Sequence, residues 1–440
     1  MTSTKEPVAF IGLGAMGYGM ATQLVTQGYP LTGFDISAPI LQKLQEAGGK
    51  VASSPAEAVQ NHEYCVCMVA TAQQAEDVLL GGANPAVPAL AKNAALLVCS
   101  TVPCGFIQDL ERRIQNSGRS DILLVDCPVS GGAIRAADGT LSIMAGGSAE
   151  AISKGRDLLQ ALSDPEKLYI VEGGIGAGSN MKMCHQVLAA NQILSSSESL
   201  GFAHHQGLDL AQTSKALVSS QGWSWMLENR LPRILDATRP IASAVTIILK
   251  DTSIITSEAR RYGFPTPMTS TAEQGYFVAL GKGYGRDDDG TLIRIYTEGE
   301  RILGQSKNAP DDEAKTKLVI DLLKGIHACA ATEALAFAHK VGLDLDQVFE
   351  LCINAAGGSS MLKDIGSDII RVLRGGQAEG KEGLVALVKD LERAVDEAQR
   401  LKLPLFLGTQ ALNMIQLVLR HKPKDLADVA IAQVVKAWVG

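Results

Sequence analysis

One glycine spacing near the N-terminus limits what this chain can become. Residues 7–11, Pro-Val-Ala-Phe-Ile, read as a short buried strand of a parallel sheet. Gly12-Leu13-Gly14-Ala15-Met16-Gly17 follows without a break. Beyond it Met16, Met20 and Leu24 recur at helical spacing, and Gly28 closes the segment as a C-terminal glycine does. A second strand, Leu31–Phe34, then ends in Asp35. Strand, G-x-G-x-x-G, helix, strand and carboxylate in this order form the context that a dinucleotide site requires. Gly12 permits the tight turn, Gly14 lets a pyrophosphate approach the main chain, and Gly17 lets helix and strand pack closely. The helix start offers unpaired N–H groups and partial positive charge to phosphate. Asp35 would accept hydrogen bonds from ribose hydroxyls and repel a 2′-phosphate, and no Arg follows in Ile36-Ser37-Ala38. NAD is therefore favoured over NADP, with a ligand-free glycine turn as the alternative.

The alternation continues. Residues 64–70, 94–99 and 122–125 are strand candidates, with a helical stretch over 72–80. Repeated βα units of this kind predict a doubly wound sheet whose ligand loops sit at the carboxyl ends of the strands. Ala70, Thr71 and Ser100-Thr101 fall there; as helix N-caps, Thr71, Ser100 and Thr101 have an equally good structural explanation. Asp126-Cys-Pro-Val-Ser130-Gly131-Gly132 also follows a strand. A Ser-Gly-Gly turn presents a hydroxyl and adjacent N–H groups with no side chains in the way, which suits a carboxylate, although an ordinary strand-end turn reads the same. Gly176-Ala-Gly178-Ser-Asn-Met-Lys182 then opens a long helix with apolar positions at Met183, Val187, Ala190, Ile193 and Leu194. Lys182 and Gln186 share one face of it and His185 lies near. Spacing alone makes Lys182 an ordinary surface lysine.

Composition bounds the rest. At about 150 residues per domain, 440 residues predict about three domains. With 46% apolar and 20% charged residues, cores can form and disorder is excluded as the main state. A net charge of −7 and the lack of a Lys/Arg block argue against nucleic-acid or anionic-membrane partners. No signal peptide is recognised and no apolar run approaches about 18 residues, so a cytoplasmic protein is expected. The eight cysteines show neither C-x-x-C nor a metal-like cluster, so buried, reduced thiols and no metal are expected.

Taken together, Gly12–17 with Met16, the run from Asp126 through Gly147, the stretch Gly176 to Lys182, and Lys250-Asp251 resemble the β-hydroxyacid dehydrogenase family. That family includes 3-hydroxyisobutyrate, tartronate semialdehyde and 6-phosphogluconate dehydrogenases, and the resemblance covers roughly residues 7–300. It implies that Lys182 is the catalytic acid/base, that Ser130, Gly131 and Gly132 hold the substrate carboxylate, and that Lys250 lies near the nicotinamide. A lysine acting as base near about pH 8–9 needs a value below its ordinary pKa of about 10.4. Most members carry Asn four residues after the lysine, whereas this chain has Gln186 preceded by His185. Lys-x-x-His-Gln, with Trp223-Ser224-Trp225-Met226 and Gly283-Tyr-Gly-Arg-Asp-Asp288, looks like the branch acting on four-carbon sugar acids, L-threonate or D-erythronate. The implied substrate contacts are then Ser130, Gly131, Gly132, His185, Gln186, Trp223, Ser224 and Lys250. A 3-hydroxyisobutyrate or tartronate semialdehyde type enzyme, an imine reductase, and a nucleotide-binding scaffold without catalysis are the alternatives. Imine reductases share this architecture but usually replace the lysine.

The last third repeats the middle. Glu198-Ser-Leu-Gly-Phe-Ala-His204 is matched by Glu333-Ala-Leu-Ala-Phe-Ala-His339, and Gly207-Leu-Asp-Leu210 by Gly342-Leu-Asp-Leu345, each 135 positions on. Lys250-Asp251 pairs with Lys389-Asp390 at an offset of 139. The expected architecture is an α/β Rossmann domain (1–175) followed by two tandem all-α 6-phosphogluconate-dehydrogenase-like helical domains (176–310 and 311–440), with a linker over 281–314. Lys182 maps to Lys317 and Gln186 to Asp321, but the second copy has no nucleotide domain before it, so Lys317 is expected to be structural. Helical domains pack together in family dimers, so a monomeric pseudo-dimer is favoured, with a homodimer as the alternative.

Overall fold

The computed structural model describes residues 5–439 apart from 237, 300–311, 381–382 and 422–426. The chain divides into two compact units, 1–182 and 183–440, with the boundary inside one helix. The first unit carries β1 (Val8–Ile11), β2 (Leu31–Phe34), β3 (Lys50–Val51), β4 (Tyr64–Cys67), β5 (Ala95–Val98), β6 (Leu123–Asp126), β7 (Val129–Ser130), β8 (Leu141–Gly147) and β9 (Ser163–Ile170). Its helices are α1 (Gly17–Thr26), α2 (Ala38–Glu46), α3 (Pro55–Val59), α4 (Ala72–Glu76), α5 (Cys104–Asn116), α6 (Gly132–Asp138) and α7 (Ala149–Leu162). Six strands run parallel in the order β3-β2-β1-β4-β5-β6, and β8 joins β6 antiparallel. The order reverses at β1, which pairs with both β2 and β4; such a switch point is where open α/β sheets bind ligands.

The strands are apolar throughout because both faces are covered. Val8 and Phe10 pack with Met20 and Leu24 of α1, while Ala9 and Ile11 pack with Ile107 and Leu110 of α5. The helix expected over 72–80 is shorter: α4 stops at Glu76 and a π-helical turn, Asp77–Gly81, continues it. That wider turn delivers Leu79 to the core beside Val87 and closes with the Gly82 N–H on the Asp77 carbonyl at 2.8 Å. All eight cysteines are buried.

Helix α8 (Ala177–His205) leads into the second unit, which continues with α9 (Leu210–Val218), α10 (Trp225–Leu235), α11 (Val245–Arg261), α12 (Pro267–Gly281) and a 3₁₀ segment, Asp289–Ile295. Then come α13 (Glu313–Lys340), α14 (Leu345–Asn354), α15 (Ser360–Leu373), α16 (Leu384–Arg400), α17 (Phe406–Arg420) and α18 (Lys436–Val439). The expected linker, 281–314, is described over 281–299 and 312–314; residues 300–311 lie outside the described residues.

Periodicity predicted an apolar stripe on α8. Instead the helix is buried nearly all round, including Asn191, Gln192 and every serine from Ser195 to Ser199. Several of its polar groups are bonded: Asn191 Nδ2 donates to the Val187 carbonyl at 2.8 Å, and Gln192 Nε2 to the Gly357 carbonyl at 2.7 Å. Such bonding is what lets a polar helix be buried.

Helices α8–α12 and α13–α17 come in matching order, with 29 and 28 residues in the first pair and 17 and 15 in both members of the last two. Contacts between the series are reciprocal. Glu198 of α8 accepts the Leu407 and Gly408 N–H groups at the start of α17, at 3.1 and 2.9 Å. Glu333 of α13 accepts those of Met268 and Thr269 at the start of α12, both at 2.8 Å. Ser224 and Ser359, equivalent positions, form a β-bridge with each other. This is the pattern of a local two-fold, in which residue i meets j and j meets i. Both glutamates are fully buried, and burial pushes each up to about 7 against the helix N–H groups that pull it down. Lys317 pairs with Asp321 at 2.5 Å and Asp390 at 3.7 Å.

Candidate active site

The glycine loop lies at the end of β1, at the switch point. Gly12 has φ +91°, and a Cβ there would strike the Met68 carbonyl that comes just after β4. A Cβ on Gly17 would run into the Gly12 carbonyl and lie 3.2 Å from the Phe10 ring. Gly14 differs: a Cβ there would meet nothing within 4 Å. Its missing side chain thus relieves no contact inside the protein and leaves main chain open to a ligand. Asp35, just past β2, reaches back to this loop. Its Oδ2 accepts the Leu13 N–H at 2.7 Å and its Oδ1 the Ser37 N–H at 2.9 Å. Each oxygen has two lone-pair sites, so capacity remains for ribose hydroxyls. Residues 12–17, Asp35, Ala70, Thr71 and Thr101 all lie at the carboxyl ends of β1, β2, β4 and β5. Thr71 also caps α4: its hydroxyl accepts the Gln74 N–H at 3.1 Å, and Gln74 Oε1 accepts the Ala70 and Thr71 N–H groups. Ser100 caps no helix; its Oγ accepts the Val69 N–H at 2.9 Å and ties two of these loops together.

The second group stands at the ends of β6 and β7. Ser130 closes β7, which pairs with β8 through Ser142 and Ile143. Gly131 and Gly132 come next with φ of +144° and +74°, a backbone that other residues rarely adopt. A Cβ on Gly132 would meet nothing within 4 Å, so the space beside its Cα is open. Asp126, the last residue of β6, is fully buried and holds the first turn of α8. Its Oδ2 accepts the Ser179 N–H at 2.7 Å and its Oδ1 the Ser179 hydroxyl at 2.8 Å. Burial pushes this carboxyl up to about 6 although those bonds favour its ionised form. One turn on stands Lys182, 5% exposed rather than on the surface where its spacing put it.

A third group lies in the helical unit. Gln186 Nε2 donates to Asp251 Oδ2 at 2.5 Å, and Asp251 Oδ1 pairs with Lys250 Nζ at 2.9 Å. His185 Nδ1 lies 3.0 Å from Gln186 Oε1, which fixes the Nδ1–H tautomer by assignment. The structure thus brings together His185, Gln186 and Lys250, and adds Asp251 as the residue that joins them. Trp223 and Ser224 belong to other contacts. Ser224 is fully buried and caps α10 through the Leu227 N–H, and Trp223 donates to Glu228 at 2.7 Å with Lys363 over its ring. The structure thus places Ser224 as a capping residue at the contact between the two series. Two residues were missed as site members, Asp126 and Asp251; the adjacent Lys-Asp pair could have pointed to the second. Among the described residues no metal-binding cluster is found, and no helix is long and apolar enough to cross a membrane.

Comparison with known proteins places this geometry. Residues 7–174 match the family profile of the NAD binding domain of 6-phosphogluconate dehydrogenase. Residues 176–296, and again 314–435, match that described as NAD-binding of NADP-dependent 3-hydroxyisobutyrate dehydrogenase. L-threonate dehydrogenase of Cupriavidus necator is 37% identical over 289 residues, 66% of this chain and 95% of that protein. The chain belongs to the β-hydroxyacid dehydrogenase family. As a β-hydroxyacid dehydrogenase it is an NAD(P)-dependent oxidoreductase acting on CH–OH groups. The crystal structure of 3-hydroxyisobutyrate dehydrogenase from Salmonella typhimurium is 30% identical with a TM-score of 0.61, covering 66% of this chain and all of that one. Plasmodium falciparum 6-phosphogluconate dehydrogenase, at 17% identity, shares the fold over 96% of this chain and 94% of its own, with a TM-score of 0.67.

Proposed function

We propose that this dehydrogenase oxidises a small β-hydroxy acid with NAD, a four-carbon sugar acid such as L-threonate or D-erythronate being favoured. The observation that carries the reading is the burial of Lys182 one turn after the point where α8 docks on Asp126, four residues before the Ser130 turn. Similarity to proteins named L-threonate dehydrogenase supports the substrate class. The residues present fit the dinucleotide: the Gly12–17 loop with its open Gly14 would hold the pyrophosphate, and Asp35 the adenosine ribose. Asp35, with its carboxylate at the end of β2, supports NAD over NADP. Bound there, the nicotinamide supplies the hydride acceptor.

The chain's own residues would do the rest. Ser130, Gly131 and Gly132 take the substrate carboxylate on hydroxyl and N–H groups. That fixes which carbinol carbon is presented. Neutral Lys182 Nζ accepts the hydroxyl proton as the C–H electron pair leaves, and in the reverse direction returns it. Gln186 and His185 present longer polar groups than the usual Asn, which suits a substrate with further hydroxyls. Asp251 holds Gln186 and Lys250 in place. The division into 1–175, 176–310 and 311–440 belongs to the same proposal. The last part is a second copy of the middle one and serves as its partner within one chain, which predicts a monomer. The reciprocal Glu198 and Glu333 contacts support that reading.

The test is turnover with NAD across a panel of three- and four-carbon hydroxy acids, 3-hydroxyisobutyrate included, read as formation of reduced nicotinamide. Lys182→Ala is expected to lower kcat about 10²–10⁴-fold with NAD still bound. A variant keeping most of its kcat overturns the acid/base assignment. Equal or better rates with NADP overturn the reading of Asp35.

A further inference from the structure

We propose that Asp126 is a positioning residue for the dehydrogenase reaction: by capping α8 from outside, it fixes Lys182 relative to the acid-holding turn. This rests on the function proposed above.

Helix α8 has no cap of its own. The residue before it is Gly176, with φ +96° and no side chain to offer to the first-turn N–H groups. Those groups need acceptors, and a carboxylate answers both the hydrogen-bonding need and the positive end of the helix. Asp126 supplies it from 53 residues upstream. A helix capped by its own neighbour is free to shift with its chain; α8 is instead pinned to the end of β6. The pin has three points. The two carboxylate oxygens grip the Ser179 N–H and hydroxyl at 2.7 and 2.8 Å. The main-chain carbonyl of Asp126 lies so close to Gly178 that no Cβ would fit. On the other side, a Cβ on Gly146 of β8 would lie 2.6 Å from the Gly174 carbonyl and 2.8 Å from the Gly178 nitrogen. The start of α8 is therefore held by strand ends on both sides.

The neighbours of Asp126 and Ser179 along the chain give this contact its functional meaning. Shortly after Asp126 the strand end becomes the Ser130-Gly131-Gly132 turn. On the helical turn after Ser179 comes Lys182. One carboxylate thus joins the two places that must be in register for a hydroxy acid to present its hydroxyl to the amine. Asp126 touches no reacting atom in this scheme; it acts through Ser179.

Three variants test this, with Lys182→Ala beside them. In Asp126→Ala the two carboxylate points of the pin are lost, and kcat is expected to fall about 10²-fold while the Kd for NAD changes less than about twofold. Asp126→Asn can still accept the Ser179 N–H and donate to its hydroxyl, so it is expected to restore kcat to within about tenfold of the parent. Ser179→Ala, which removes one bond and should fold, is expected to show a smaller loss of kcat of about tenfold, again with the Kd for NAD changed less than about twofold. Competitive acylation of the free protein, read peptide by peptide, reports the reactivity of Lys182 without substrate or cofactor. That reactivity is expected to change in Asp126→Ala and to return in Asp126→Asn. Folded Asp126→Ala with parental kcat, or Ser179→Ala indistinguishable from parent in kcat and acylation should Asp126→Ala not fold, overturns the proposal. If Lys182→Ala is inactive while the Asp126 and Ser179 variants behave as parent, only this inference fails. If Lys182→Ala stays active, the proposed function fails instead.

Discussion

Replacing Gly178 by Ala sets two effects of opposite sign against each other. Inside a helix Ala is favoured over Gly by about 0.8–1.0 kcal/mol, and this close to the start of α8 the gain is at most that. The new methyl would, however, stand less than 3.0 Å from both the Met144 and the Asp126 carbonyl oxygens. Those are main-chain atoms of β8 and β6, and neither can swing away as a side chain could. Ordinary contact returns only if the first turn of α8 retreats by about 1 Å. Forcing a methyl into a packed site costs about 1–3 kcal/mol, so the clash outweighs the propensity gain by about 1 kcal/mol. The retreat also stretches the Ser179 bonds to Asp126 and carries Lys182 with it. A shift of about 1 Å at the chemistry can cost about 10²-fold in rate. Thermal unfolding and kcat on the best substrate check both parts, with Gly281→Ala as control because its Cβ would meet nothing within 4 Å. The expected result is a lower melting temperature and a much lower kcat for Gly178→Ala and neither for the control. A Gly178→Ala protein as stable and as fast as the parent would refute the reasoning.

Gly14→Ala should leave the melting temperature of the free protein unchanged, because its methyl enters open space, yet weaken NAD binding at least about tenfold, as titration of cofactor fluorescence would show. Glu333→Ala strands two first-turn N–H groups of α12 and should cost about 1–3 kcal/mol in urea unfolding, with Glu198→Ala acting likewise on α17. Because both glutamates are raised to about 7, the folded state binds protons that the unfolded state has released between the ordinary glutamate value and 7. Their contribution is therefore present in acid and lost as pH rises through 7, so the urea midpoint should be higher near about pH 5.5 than near about pH 8. A Glu198→Gln, Glu333→Gln double variant should flatten that difference, and an unaltered slope would count against it.

Much of the first unit could be read from residue order. Three glycines between a strand and a helix dictated the loop, and the apolar runs of β1, β4 and β5 came from burial on both faces. The lysine helix was legible too, but its environment was not: α8 is enclosed on nearly every side, and periodicity carries no trace of neighbours that arrive from distant sequence. The same holds for Asp126, whose partner lies 53 positions away. A hint existed in the helix that opens after Gly-Ala-Gly with no capping residue of its own, since such a helix must find an acceptor elsewhere. Glu198 and Glu333 stood out as marks of a repeat, yet their task as exchanged caps is visible only in three dimensions. Thr71 shows a milder limit: an N-cap and a ligand-loop hydroxyl look alike in sequence, and here the cap is formed.

The exchanged caps have a consequence for how the chain is made. When α12 leaves the ribosome, the acceptor for its opening amides lies 65 residues further on and has not yet been synthesised. Glu198 waits longer still, because the amides it serves come 209 residues after it. The nucleotide-binding third can settle early, whereas the helices behind it stay incomplete until translation is nearly over. A chain that stopped before Glu333 would therefore leave the opening amides of α12 without their carboxylate acceptor.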